Sequence, residues 1–331
     1  MRQRVAAVLL ALLPFVASAD FGRSDYGQAF ADIVTALREK DFARLERMHQ
    51  RFMQPDARAA DGTWMIQAFQ EAFESRFRFE PPASTEKLFA EWRERAPESA
   101  LRPIAEAIAW QRRAWIAKGT SCYARSASSS RKAFNDLVAR AADALREGEA
   151  AGVASPLWHT AAMLVGGAQG RPAAELDALL DAGAQRFPTY VPLFAARMTF
   201  LLPEWGGDPE ALDRFIRASA ERSGEREGRA MYAWLYVEIA RAHDCEGLFD
   251  RSEVTWPDMR AAFDDMLEHH PDTWNRNVYA TFACRARDRE TTARLLGELG
   301  SDANLGIGSR GISTEGCLKM VRPKPEPQRE M

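Results

Sequence analysis

The chain has 331 residues, with 44 Lys plus Arg against 47 Asp plus Glu, a formal charge of −3, and 46% hydrophobic and 10% aromatic residues. This composition excludes a disordered or collagen-like chain, and the length suits one large domain or two packed lobes with ample core. The mild acidity gives no electrostatic case for nucleic acid or an anionic membrane surface as partner.

Residues 1–19 read as a secretory signal peptide. Met1-Arg2-Gln3-Arg4 is a short basic start, Val5 to Val16 is a compact apolar run, and Ala17-Ser18-Ala19 is a small-x-small cleavage site. The apolar run is too short to span a bilayer as a mature helix, and nothing after Ala19 has the length and apolarity of a membrane span. No cysteine lies at the cleavage site to carry a lipid anchor. The expected location is therefore the periplasm or the exterior, where disulfides are usable.

From Tyr26 onward the periodicity is helical. Phe30, Ile33, Val34 and Leu37 follow i, i+3, i+4, i+7, and Ile104, Ala107, Ile108 and Trp115 continue one face of a long segment starting near Glu98. Leu212, Phe215, Ile216 and Ala220 repeat the pattern. Alternating β-branched runs are absent, so no sheet is expected. Pro97, Pro188 and Pro271 each follow one amphipathic helix and precede another, where proline suits the linker or the first turn. At Trp205-Gly206-Gly207-Asp208-Pro209 the glycines permit a helix C-cap, Asp208 can cap the next helix and Pro209 takes its first position.

Two of these joints echo each other. Leu179 to Tyr190 resembles Ala262 to Trp274: an apolar helix, a proline turn and an aromatic entering the next helix. Their separation is about two and a half helical hairpins of tetratricopeptide size. The reading is an all-α domain over 20–320, built as a tetratricopeptide-like α-solenoid of stacked antiparallel helix pairs. A lobe boundary is expected near 148–156, and residues 321–331, with Pro323, Pro325 and Pro327, are expected to be a disordered tail. The Gly- and Ser-rich stretch 301–314 is expected to be a loop.

The four cysteines allow three disulfide connectivities and contain no C-x-x-C pair. Cys284–Cys317 is the favoured pair because it ties the C-terminal segment back onto a helix. Cys122–Cys245 is the weaker second pair, and buried free thiols are the competing reading.

No motif decides for catalysis, metal or cofactor. Gly306 to Gly311 spells G-x-G-x-x-G without the strand and helix that a dinucleotide site needs, and reads as a loop. Ser129-Ser130-Arg131-Lys132 spells S-x-x-K without the accompanying S-D-N and K-T-G elements; the serines read as a helix cap. Glu46-Arg47-Met48-His49 is a lone E-x-x-H, and a dimetal site in a bundle needs two, so these read as surface or partly buried polar residues. His269-His270 closes a helix, where a cation suits the dipole. Trp110, Trp115, Trp158 and Trp234 read as core wedges. Trp205 and Trp274 read as packers at joints, with a binding-groove role as the alternative.

Several segments resemble a known family. Asp41-Phe42-Ala43-Arg44-Leu45-Glu46, Asp61-Gly62-Thr63-Trp64, Pro97-Glu98-Ser99 with Trp115 and Gly119, and Leu202-Pro203-Glu204-Trp205-Gly206-Gly207-Asp208 occur in the order seen in the bacterial domain-of-unknown-function family numbered 4034. The resemblance covers roughly residues 30 to 300, with Lys118-Gly119 where the family has Arg-Gly. It implies a helical, tetratricopeptide-like fold and carries over no activity or catalytic residue. Asn277 to Asp288 also looks like a helical-repeat hairpin.

The functional expectation is an exported helical-repeat module that binds another envelope or exported protein or peptide. Two alternatives have their own marks. An enzyme of unrecognised type would show a deep pocket of convergent polar residues with shifted pKa values in the C-terminal half. A small-ligand or metal carrier would show a closed apolar cavity or a metal site.

Overall fold

The structure, a computed structural model, describes residues 24–118, 128–202, 205–243, 252–306 and 313–322. Among the described residues it is all-helical, with no strand and an isolated antiparallel bridge between Arg58 and Trp64. Residues 1–19, expected to be a leader, the Gly-rich motif from 307 onward and residues 323–331 of the expected tail lie outside the described residues, as do Cys122 and Cys245.

The chain opens with a hairpin of α1 (Ser24–Glu39) and α2 (Phe42–Phe52). α1 buries Tyr26, Ala29, Ile33, Ala36 and Leu37, the helical stripe of its sequence. It stops at Lys40, whose φ of 56° lets Asp41 N–H reach the Ala36 oxygen at 2.9 Å. Asp41 then caps α2 by accepting from Arg44 N at 2.9 Å. The same turn recurs near the other end of the chain. Arg287 has φ 59°, Asp288 N–H reaches the Ala283 oxygen at 2.9 Å, and the Asp288 carboxylate accepts from Thr291 N.

Next come α3 (Gln67–Phe77), α4 (Pro82–Arg95), α5 (Leu101–Lys118), α6 (Ser128–Glu147), the one-turn α7 (Glu149–Gly152) and α8 (Pro156–Ala168). They are followed by α9 (Ala173–Arg186), α10 (Val191–Thr199), α11 (Pro209–Glu227) and α12 (Ala230–His243). The last are α13 (Trp256–His269), α14 (Thr273–Arg285), α15 (Arg289–Leu299), a 3-10 turn at Gly300–Asp302, and α16 (Thr314–Val321). Val321, expected in the tail, thus ends a helix. α5 starts later than Glu98 because its first free N–H groups are taken at 101 and 102: Leu101 N donates to Glu46 Oε1 at 3.1 Å, and Arg102 N to Ser99 Oγ at 2.9 Å.

Three joints share one geometry. Ala96, Phe187 and His270, each followed by proline, end α4, α9 and α13 with φ/ψ of −143°/69°, −126°/64° and −134°/73°. A proline ring disfavours the α region for the residue before it, so each helix stops there.

Helices pack on their chain neighbours, as in α5–α6, α8–α9, α11–α12 and α14–α15. They also pack on the next but one, as in α1–α3, α3–α5, α8–α10 and α10–α12. At the 148–156 interval, α8 packs on both α5 and α6. One apolar core runs from Tyr26 in α1 to Cys317 in α16. Cys284 in α14 and Cys317 in α16 form a disulfide with their Cα atoms 5.7 Å apart, fastening the last helix to the final hairpin.

Candidate functional site

Between α2 and α3 the chain leaves the helical pattern and folds residues 54–66 into a strap. Its tip is a tight turn at Asp61-Gly62. The Asp61 carboxylate accepts from Thr63 N at 3.0 Å and Thr63 Oγ1 at 2.9 Å, and Ala59 N donates to the Thr63 oxygen at 2.8 Å. Gly62 takes φ +87°, and a Cβ there would lie 2.8 Å from the His270 ring. Both the turn and the close approach require glycine.

The strap rests against both of the joints that echo each other in the sequence. Arg58 lies over the Trp64 ring, 3.8 Å from its centroid, and donates to Thr189 Oγ1 at 2.7 Å and to the Gly62 oxygen at 3.1 Å. Trp64 Nε1 donates to the same Thr189 oxygen at 3.2 Å. Glu227, at the end of α11, stands 3.6 Å from Arg58 and accepts from His270 Nε2 at 2.6 Å. Asn275 in α14 donates to the main-chain oxygens of Asp61 and His270, each at 3.0 Å. Burial lowers the Arg58 pKa, the Arg226 charge adds to that, and Glu227 opposes it. A guanidinium nonetheless stays charged in a protein, so Arg58 is a sequestered cation held by an aromatic face, a carboxylate and a hydroxyl.

Beside the strap is a cavity of about 60 Å³, walled in part by Trp64, Gln67, Trp234, Glu238, Arg241 and Trp274. Farther along α3 lie Glu71 and Glu74, held by Gln67 and Gln70 at 3.1 Å each. Burial pushes the Glu74 carboxyl above the usual carboxylate range; the charges of Glu71 and Glu238 add to this, while Gln70 and Arg112 oppose it. Burial also raises the Tyr190 hydroxyl well above its usual value, with Glu71 and Glu74 adding to the effect. Arg112 Nε is buried with no hydrogen-bond partner among the described residues. A second hollow, about 160 Å³, lies on the outer surface between Asp143, Arg146, Gln169 and Arg171.

The motifs weighed in the sequence fall elsewhere. His49 is not a surface residue: it is 2% exposed and hydrogen-bonded through Nε2 to Ser155 Oγ at 2.9 Å. This is the spacing of a base and a nucleophile, but Ser155 is itself 1% exposed and neither residue lines either hollow. Burial lowers the His49 pKa to about 4, which keeps the ring neutral. Glu46 points away from His49 to cap α5, also accepting from Ser99 Oγ. Lys132 of the S-x-x-K segment forms an exposed pair with Asp136, and the side chains of Ser129 and Ser130 lie outside the described residues. His269 bonds the Asp265 oxygen at 2.8 Å, its partner in the pair meets Glu227, and no cluster of three metal-ligating side chains occurs among the described residues. No helix among them is long and apolar enough to cross a membrane.

The Trp205 joint is a packing node. Trp205 meets Trp115 and Phe200 edge-on at 5.3 and 5.0 Å, and Lys118 Nζ lies 3.4 Å from its ring centroid. Gly206 has φ +87°, a Cβ on Gly207 would fall 1.9 Å from the Leu201 oxygen, and Asp208 caps α11 through Ala211 N at 2.8 Å. Trp110 and Trp158 are buried, whereas Trp234 and Trp274 are half-buried at the cavity.

Sequence reasoning missed the strap and its contacts with Thr189, Glu227, His270 and Asn275. The Asp61-Gly62 pair, a hairpin-turn signal, was the one local mark of it. The chain matches no family model, no curated protein and no solved structure.

Proposed function

We propose that this is an exported helical-repeat protein that binds a peptide or protein segment in the bacterial envelope, its helix pairs stacked in the manner of a tetratricopeptide array. One observation carries the reading. The chain already holds a non-helical segment, the strap, with side chains drawn from three separate joints. Asn275 addresses the backbone of that segment at the Asp61 oxygen, while Thr189 and Glu227 address its cation, Arg58. Side-chain amides on main-chain groups, with pockets for individual side chains, are the chemistry by which a groove holds extended peptide. The leader-like residues 1–19 and the Cys284–Cys317 disulfide support export. The test is site-specific photo-crosslinking in cells. A photoreactive residue at Arg241, beside the strap, gives a discrete protein adduct, and one at Arg214 on the exposed side of α11 gives none. Equal, diffuse labelling from both positions would overturn the reading.

A further inference from the structure

We infer that the cavity beside the strap is a socket for one cationic side chain, arginine or lysine, of a partner peptide; this rests on the peptide-binding reading above.

The molecule contains its own precedent. Arg58 sits on the face of Trp64, hydrogen-bonded to Thr189 and paired with Glu227. The adjoining cavity offers the same two chemistries: Trp234 and Trp274 line it together with Glu238, and it shares Trp64 with the Arg58 site. An indole face attracts a cation through its quadrupole, and a nearby carboxylate adds direct charge pairing.

Size selects the kind of ligand. Sites that enclose a whole small molecule usually offer about 300 Å³ or more, against about 60 Å³ here. That space takes the end of one side chain, so the rest of the ligand must lie outside it, as a peptide would along α3 and α12.

Charge selects the sign. Glu238 pairs with Arg241 at 3.3 Å, both side chains a third or more exposed at 36% and 44%. Such a surface pair is weak and can exchange partners at little cost. Along the same face the Glu71 and Glu238 charges add to the burial that raises the Glu74 pKa, while Gln70 and Arg112 oppose it. An incoming anion would meet the Glu238 carboxylate in the cavity wall.

The test uses the full chain and a set of otherwise neutral nonapeptides with one central residue varied: arginine, lysine, citrulline or glutamate. Citrulline keeps the shape of arginine and removes its charge. Binding is read by calorimetry and by the tryptophan indole N–H resonances. Arginine and lysine peptides bind, and citrulline weakens binding by about tenfold or more. Glu238→Gln, with an unchanged melting curve, weakens the arginine peptide and leaves the citrulline peptide alone. Arg241→Gln, by removing the competing cation, strengthens the arginine peptide, a gain that a merely structural role would not produce. Equal binding of the arginine and citrulline peptides, or preference for glutamate, overturns the socket and leaves the peptide-binding reading intact. No binding of any peptide in a randomised nonapeptide library overturns both.

Discussion

Asn275 donates through Nδ2 to the main-chain oxygen of Asp61 at 3.0 Å, across 214 residues of chain, and through the same nitrogen to the oxygen of His270. One 3% exposed amide thus joins the strap after α2 to the joint between α13 and α14. Asn275→Leu keeps the volume and removes both bonds, leaving two carbonyls short of a donor. An unmet buried polar group costs about 1–3 kcal/mol. We expect destabilisation in that range by urea denaturation, with hydrogen exchange accelerated first at residues 57–66. Loss spread evenly over all helices would show that the strap is not a separately docked unit.

Gly62 and Gly206 share φ +87° but differ in surroundings: a Cβ on Gly62 meets the His270 ring at 2.8 Å, whereas one on Gly206 meets nothing within 4 Å. Gly206→Ala therefore carries only the left-handed backbone penalty, about 1 kcal/mol. Gly62→Ala adds displacement of His270 from Glu227 and should cost at least twice as much in thermal or urea melts. Equal losses would mean that the ring moves aside freely.

Arg58 and Glu227 form a pair whose side chains are 22% and 6% exposed. Glu227→Ala leaves the Arg58 guanidinium without its carboxylate; because Arg58 is partly open to solvent, the cost should fall below that of breaking a fully buried pair, at about 1–3 kcal/mol. The double variant Arg58→Met, Glu227→Leu removes both charges at similar volume and should recover most of that loss. A double variant no more stable than Glu227→Ala would indicate that the cost lies in packing rather than in the stranded charge.

The helices were legible because their causes are local. The stripe Phe30, Ile33, Val34, Leu37 and the cap Asp208 act within a few residues of one another, as does the rule that a residue before proline leaves the α region. The similarity of the joints at Phe187-Pro188 and His270-Pro271 was also visible. Their shared task was not, because Arg58 meets Thr189 at a separation of 131 residues and Trp64 meets it at 125. His49 read as a surface or partly buried polar residue because a lone histidine gives no sign of full burial; its partner Ser155 is 106 residues away. The cavity is assembled from α3, α10, α12, α13, α14 and the strap, so no single segment carries its pattern.

The C-terminal helix α16 has one fully buried residue, Cys317, and that residue is in the disulfide. The bond closes a loop over a separation of 33 residues, and loop-closure entropy for that length is worth about 3–4 kcal/mol. Reduction, or Cys317→Ser with Cys284→Ser, should lower stability by about that amount and bring the α16 amides to near-random exchange while α14 and α15 stay protected. Persistent protection of α16 in the reduced protein would assign its docking to Met320, Val321 and the Thr314 contact instead.

His49 makes stability depend on pH in a direction fixed by burial. Its folded-state pKa is about 4 against an ordinary value of 6.5. Between those values the unfolded chain takes up a proton that the folded chain refuses, so stability is full above the ordinary value and falls as the pH drops. The slope approaches about 1.4 kcal/mol per pH unit, and the loss levels off near 3 kcal/mol below about pH 4. Carboxylates that are paired in the fold also lose stability in acid, so the measurement must be a difference. His49→Gln places an amide nitrogen near the Nε2 position, keeps a hydrogen-bond partner for Ser155 and does not titrate. Urea melts from pH 8 to pH 4 should show the wild type and the variant converging or crossing as the pH falls, the wild type losing about 3 kcal/mol more. Parallel curves would mean that the buried ring is protonated in the fold with a compensating partner, contrary to the neutral His49–Ser155 pair.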